Sequence, residues 1–249
     1  MKKRLKNIVN GFFISFEGIE GSGKSTQAKL LYEALKKRGI HVMLTFEPGG
    51  TKIGERIREI LLVGPEHAGM VPLTELFLFS AARYQHVHEL IMPSLKKGMV
   101  VITDRFIDST MAYQGAGRGI ALKTIESINR IATQGLKPHM TFLLDLPAES
   151  GIERTGQFFL WSGAEIVARE QKADRFEFEK IAFHRKVRQG YLYLREREPE
   201  RIILFDATRP VEELHKEIVK IVLQRLTKRV PQIISHNGVR TPSETYYLT

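Results

Sequence analysis

Five short runs rich in apolar and β-branched residues punctuate the chain: Phe12–Phe16, His41–Thr45, Met99–Thr103, Met140–Leu146 and Arg201–Phe205. They are nearly continuous in hydrophobicity rather than alternating, the pattern of strands buried on both faces. Between them, apolar residues recur at helical spacing: Ala28, Leu31 and Leu35; Ile53, Ile57 and Ile60; Leu73, Leu76, Phe77 and Ser80; Ile125, Ile128 and Ala132; Val211, Leu214, Ile218 and Val222. Gly39 stands where a helix C-terminus is expected, just before the second run. Strand–helix alternation predicts a five-stranded parallel sheet with helices on both faces.

Two stretches break this rhythm. Residues 150–175 carry Gly151, Gly156, Gly163 and scattered charges, and read as a mobile lid-like excursion. Residues 230–249, with Pro231, Asn237, Gly238 and Pro242, show no periodicity. The expected organisation is therefore a basic N-terminal extension over 1–11, one folded domain over 12–228 with a lid at about 150–175, and a tail over 229–249.

Composition narrows the class. A length of 249 residues fits one α/β domain with a lid. Cysteine is absent, which excludes disulfides and thiolate metal sites and fits the cytoplasm. No apolar run approaches the roughly 18 residues of a membrane span. Lys2, Lys3, Arg4 and Lys6 precede only a short apolar stretch without a small-residue cleavage site, so they do not read as a secretory signal. The net charge of +10 invites nucleic acid as a partner, but +4 of it lies in residues 1–10 and +3 in residues 225–249. A basic groove would put the excess on the folded body, so nucleic acid is not expected as the primary partner.

The chemistry is announced by Gly18-Ile19-Glu20-Gly21-Ser22-Gly23-Lys24-Ser25, a full G-x-x-x-x-G-K-[ST] match followed by Thr26. The strand before it and the amphipathic helix after it are the context this motif requires. Glycines let consecutive N–H groups turn inward as an anion cradle, and the helix N-terminus adds partial positive charge. Lys24 is placed for the β- and γ-phosphates of ATP, and the Ser25 hydroxyl for Mg²⁺. The fold expected is that of P-loop NTP hydrolases and kinases. A second acid, Asp104, ends the run Met99–Thr103, where such proteins hold a metal-associated carboxylate. Arg105 beside it can grip a further phosphate with a two-pronged contact. Without other motifs these features do not separate kinases from other P-loop proteins, although no N-K-x-D guanine motif is present.

The combination of further segments resembles the thymidylate kinase family, bacterial type, over roughly residues 12–225. They occur in order: Phe16-Glu17-Gly18, Glu47-Pro48-Gly49-Gly50-Thr51, Leu76 to His86, Asp104-Arg105-Phe106, Ser109 to Gly115, and Asp174-Arg175-Phe176-Glu177. The resemblance implies transfer of the ATP γ-phosphate to dTMP, giving dTDP for dTTP synthesis, with Mg²⁺ and as a homodimer. It implies that Phe79 stacks on thymine while Arg83, one turn on, donates to the base. Tyr113 crowds the sugar 2′ position, and Ser109, Thr110 and Gln114 are polar contacts around the base. Glu47 belongs to the acceptor side, Arg105 clamps the dTMP phosphate, and Glu20 orients the acceptor near its 3′-hydroxyl. From the residues alone, Phe79 reads equally as helix core, Tyr113 as a half-buried tyrosine and Glu20 as a solvated carboxylate.

Departures from the family pattern matter. Phe46 stands where relatives often carry arginine, and the phosphate loop lacks an internal arginine. The transferring charge must then be met from the lid, by Arg154 foremost, with Arg169, Lys172 and Arg175 as further candidates. Lys24, Arg105 and Arg154 are thus the expected catalytic residues. Residues 155–173 look like an insertion, and its cluster Phe158-Phe159-Leu160-Trp161 packs on the closed lid, on a partner, or lies exposed. The rival readings are another nucleotide or nucleoside kinase of this fold, or a nucleotide-binding regulator with weakened catalysis.

Overall fold

A computed structural model describes the backbone of residues 11–63, 69–161 and 179–237, with side chains over 11–62, 69–155 and 179–227. Five parallel strands form one sheet: β1 (Phe12–Glu17), β2 (Val42–Phe46), β3 (Val100–Asp104), β4 (Met140–Asp145) and β5 (Ile202–Asp206), in the order β2-β3-β1-β4-β5. Each expected run is a strand, displaced by at most about one residue at its ends. The shift matters at β3, where Asp104 pairs with both Phe16 and Phe46 and so stands at the carboxyl edge of the sheet's centre.

The helices are α1 (Lys24–Lys36), α2 (Lys52–Arg58), α3 (Pro72–His86), α4 (Met92–Lys96), α5 (Ile107–Thr110), α6 (Leu122–Ala132), α7 (Ala148–Trp161), α8 (Ile181–Arg197) and α9 (Val211–Asn237). They cover both faces. On β1, Phe12, Ile14 and Phe16 enter the larger core, while Phe13 enters a second cluster with Val87, Ile91, Leu95, Val101, Phe106 and Ile107. This alternation across one strand produces two layers of core from a single apolar run. Phe13 and Phe106 meet edge-to-face at 4.9 Å between ring centres. Glu17 shares the parity of Phe13, so the strand delivers a carboxyl where its apolar part ends.

Two expectations are corrected. Residues 150–161 are not part of a loop excursion but belong to α7, and Arg154 lies within that helix. The cause is close packing: a Cβ on Gly151 would stand 2.7 Å from the Glu20 carbonyl, so this glycine serves helix-to-loop contact, not chain flexibility. The backbone of α9 also stays helical through Pro231 to Asn237, past the boundary expected at 228. Proline fixes a φ compatible with a helix and loses one N–H bond there. The extension 1–10 and the remainder of the lid, including Arg169, Lys172 and Arg175, lie outside the described residues, as do the side chains of Phe158 to Trp161.

Candidate active site

The phosphate loop runs from β1 into α1. Gly21 and Gly23 take left-handed backbone angles, φ 73° and 88°. Gly23 is the N-cap of α1 and no side chain caps that end, so the first-turn N–H groups face the cleft. Lys24 folds back over the loop, its Nζ donating to the Ile19 carbonyl at 2.7 Å and lying 3.4 Å from Ser22 Oγ. Burial, and then the positive charge of Arg105, lower its pKa to about 8 against the pull of Asp104, Glu20 and Glu17. The ammonium form still predominates at neutral pH, and a bound polyphosphate would stabilise it further.

Ser25 Oγ donates to Asp104 Oδ2, while Asp104 Oδ1 is buried without a hydrogen-bond partner. A hydroxyl and an orphaned carboxylate oxygen at the loop are hard oxygen donors. Among the described residues no cluster of three or more His, Cys, Asp or Glu could hold a metal alone. The Ser25–Asp104 pair suits Mg²⁺, which is usually held by one or two protein oxygens together with water and substrate phosphates. Thr26, next along, is exposed.

Arg105 follows β3 in a left-handed conformation, φ 70°, uncommon for a residue with a side chain. Its Nη2 donates to Glu20 Oε1 at 2.9 Å, and its Nη1 lies 3.1 Å from the Gly18 carbonyl and 3.3 Å from Ser109 Oγ and Tyr191 OH. Its guanidinium also lies 5.0 Å over the Tyr113 ring. Tyr113 OH donates to Glu20 Oε1 at 2.5 Å. Burial works to raise the Glu20 pKa. His184, Arg105, Lys24 and Tyr113 outweigh it and hold the group well below the usual carboxylate range. His184 Nδ1 stands 3.4 Å from Glu20 Oε2, an ion-pair distance without hydrogen-bond alignment, and Oε2 keeps no hydrogen-bond partner.

Glu20, Arg105, Ser109, Tyr113 and Gln114 line one small pocket with Pro48, Leu62 and Phe79. Its volume is about 30 Å³. A far larger cavity of about 780 Å³ lies between α5, α6 and α8, lined by Ile107, Asn129 and Leu194 among others, and holds none of the expected site residues. Size alone does not mark the site. The small pocket has the convergent charge that a nucleotide phosphate requires.

Behind it, Arg83 is buried and largely employed. Nε donates to Glu47 Oε2 at 2.7 Å, Nη1 to Thr110 Oγ1 at 2.7 Å and Asn129 Oδ1 at 2.9 Å, and Nη2 to the Phe106 carbonyl at 3.0 Å. Four of its five N–H donors are used internally, and Arg83 itself stands outside the set of residues that line the pocket. Glu47 also meets His86 Nδ1 at 3.0 Å. Thr110 and Glu47 therefore hold Arg83, rather than lining the pocket. Gln114 Nε2 donates to Glu75 at 2.6 Å. Near Phe46, Arg58 lies 5.6 Å over the ring and donates to the Pro48 carbonyl at 2.9 Å, bringing a cation to the pocket's edge from α2.

Arg154 is exposed, and its Nη1 reaches the Ala207 carbonyl at 3.1 Å and the Gly21 carbonyl at 3.4 Å. An arginine from α7 thus stands beside the phosphate loop. Glu17, Arg58, His184 and Tyr191 carry no role in the motif reading. The only sequence sign is Glu17's place just before the loop.

The groups converging here are amides, a lysine and arginines, not a nucleophile paired with a base. They suit moving a phosphoryl group between two anions, and together with the sheet order they define a P-loop nucleotide phosphotransferase. Comparison with known proteins sharpens this. The thymidylate kinase family profile matches residues 16–218. The thymidylate kinase of Geotalea uraniireducens is 50% identical over 218 residues, covering 88% of this chain and 99% of the relative. That of Pelobacter propionicus is 47% identical over 214 residues, covering 86% and 94%. The crystal structure of the Ehrlichia chaffeensis thymidylate kinase superposes with a TM-score of 0.65 at 33% identity, over 85% of this chain and 98% of that one. The chain belongs to the thymidylate kinase family.

Proposed function

We propose that dTMP docks in the pocket between α3 and the Tyr113 turn and meets ATP held on the phosphate loop. The reaction is ATP-dependent phosphorylation of dTMP to dTDP, a step toward dTTP. A non-bridging oxygen of the dTMP phosphate forms a bond to the γ-phosphorus. The bond from that phosphorus to the β,γ-bridging oxygen breaks, and ADP leaves with the electron pair. No general base is required, since the acceptor is already an anion. Catalysis then rests on positioning and charge.

The observation that carries this reading is that the acceptor clamp touches the donor loop: Arg105 Nη1 lies 3.1 Å from the Gly18 carbonyl. One guanidinium thus borders both phosphate sites. Lys24 neutralises the donor β- and γ-oxygens, and Arg105 releases Glu20 to grip the acceptor phosphate. Glu20, freed, faces the sugar 3′-hydroxyl beside Tyr113. Phe79 offers its ring to thymine, and the remaining Arg83 N–H donates to a base carbonyl. Ser25 and Asp104 would hold Mg²⁺, which neutralises charge on the transferring phosphates when bound. Arg154 supplies the charge that the loop lacks.

A homodimer fits the surface. Leu73, Phe77 and Tyr84 expose one face of α3, with Ile53 on the neighbouring α2 and Ile60 just beyond its end. Such an apolar face suits a second copy. No helix among the described residues is long and apolar enough to cross a membrane, and consumption of ATP and dTMP points to the cytoplasm. A turnover panel of dTMP, dUMP, UMP, AMP and thymidine tests the reading. The highest kcat/KM is expected for dTMP, and preference for thymidine over dTMP refutes it.

A further inference from the structure

Behind Arg105 lies a buried carboxyl that the transfer itself does not use. Glu17 Oε2, Ser109 Oγ and Tyr191 OH form a triangle of oxygens with edges of 2.6, 2.8 and 3.0 Å. Each edge needs one proton. Serine and tyrosine bring two, and a carboxylate brings none. A carboxylic acid supplies the third, so that every oxygen donates once and accepts once. The remaining lone pairs on Ser109 and Tyr191 then point to Arg105 Nη1, 3.3 Å from each.

The same carboxyl fixes the backbone. Its Oε1 accepts the Phe106 N–H at 2.7 Å, immediately after Arg105. A residue with a side chain at φ 70° stores about 1–3 kcal/mol and persists only where its surroundings over-determine it. Here the Arg105 N–H donates to the Phe16 carbonyl at 2.9 Å, Thr103 Oγ1 donates to the Arg105 carbonyl at 2.9 Å, and Glu17 holds the next N–H. We propose that Glu17, as a neutral carboxylic acid, closes a ring with Ser109 and Tyr191 and is the positioning residue that aims Arg105 at the acceptor phosphate.

The inference rests on the reading of Arg105 as the acceptor clamp. The surroundings agree with a neutral acid. Burial, and then the negative charge of Asp108, push Glu17 up to about 8, against the pull of Ser109, Arg105 and the Phe106 N–H. Asp108 on α5 is itself paired with Arg201 at 2.7 Å. The charged or titratable groups facing Glu17 are Arg105 after β3, Asp108 on α5, Tyr191 on α8 and, across the loop, Lys24 on α1. Tyr191 ties the ring to α8.

The test uses the full chain, first shown to turn over dTMP; failure there refutes the functional reading, not this inference. KM for dTMP and for ATP, kcat and thermal melts are then measured for Glu17→Gln, Glu17→Ala and Tyr191→Phe from about pH 6.5 to 9.5. Glu17→Gln keeps an acceptor for Phe106 and turns two N–H groups, one to Ser109 and one to Tyr191, where the acid had one donor and one acceptor. Both hydroxyls stay held without an ionisable group, so its dTMP KM at neutral pH stays within about threefold of the wild type. Tyr191→Phe opens the ring and raises the dTMP KM about tenfold, with the ATP KM within about twofold. Above about pH 8 the wild-type dTMP KM rises as the acid ionises, whereas Glu17→Gln lacks that rise. Glu17→Gln as impaired as Glu17→Ala overturns the neutral acid. Tyr191→Phe moving both KM values together, or neither, overturns the positioning role even if Glu17→Ala fails to fold.

Discussion

Replacing Arg154 with alanine separates stability from catalysis. The side chain is exposed, and its contacts are two carbonyls, Ala207 at 3.1 Å and Gly21 at 3.4 Å. Removing such surface contacts costs the fold about 0.5–1 kcal/mol. For a domain of this size that is roughly a 1–4 °C fall in Tm. The effect on rate is on another scale. An arginine that stabilises the transferring phosphoryl is worth at least about 10³ in kcat, or about 4 kcal/mol at 1.36 kcal/mol per decade. Rapid-quench single turnover with saturating ATP and dTMP, alongside thermal melts, reads both. Arg154→Ala is expected to transfer phosphate about a thousandfold more slowly while melting almost normally. Arg154→Lys, which keeps charge but not the planar fork, falls between. A kcat loss under about tenfold, or a rise in the ATP KM alone, refutes the role, because either outcome means the arginine serves only ground-state binding.

Three further outcomes follow from the geometry. Lys24→Ala is expected to be nearly inactive yet folded, since its main internal contact is one loop carbonyl; full activity in a coupled ADP-release assay overturns the site. Glu20 has a folded-state pKa below its ordinary value, so its contribution to stability is complete above the usual carboxylate range and lost as pH falls through and below it. The unfolding free energy of the wild type minus that of Glu20→Gln should therefore shrink as pH drops from about 6 to 3, and a constant difference refutes the depressed pKa. Phe77→Glu, on the exposed face of α3 and away from the pocket, is expected to yield a monomer by light scattering; an unchanged mass, or a wild type that is itself monomeric, removes that face as the dimer contact.

Much of the fold was readable because its signals are local. Strands buried on both faces are unbroken apolar runs, and the phosphate loop is a motif within eight consecutive residues. Asp104 and Arg105 were readable because the end of a buried parallel strand is a place of known use. The supporting groups were not. Glu17 and Tyr191 lie 174 residues apart, and His184 meets Glu20 across a similar span. Only the sheet order, which sets β1 between β3 and β4, brings them together. Arg83 illustrates the same limit. Helical spacing put it on one face with Phe79, but spacing could not reveal that Glu47, Thr110, Asn129 and the Phe106 carbonyl occupy most of its donors.

The glycines of the lid show how a local signal misleads when its cause is tertiary. Gly151 suggested a mobile segment, yet it and Gly21 exist as a contact pair: a Cβ on Gly21 would stand 2.6 Å from the Gly151 carbonyl, and one on Gly151 2.7 Å from the Glu20 carbonyl. Backbone carbonyls cannot swing aside as a side chain would, so this approach is open only to glycine on both sides. The consequence reaches the chemistry. With the second turn of α7 docked against the phosphate loop, Arg154, three residues beyond Gly151, is carried to the Gly21 carbonyl by helix geometry. A loop without its own arginine thus gains one in a fixed register, and the small side chain at each of two positions is what makes that register attainable.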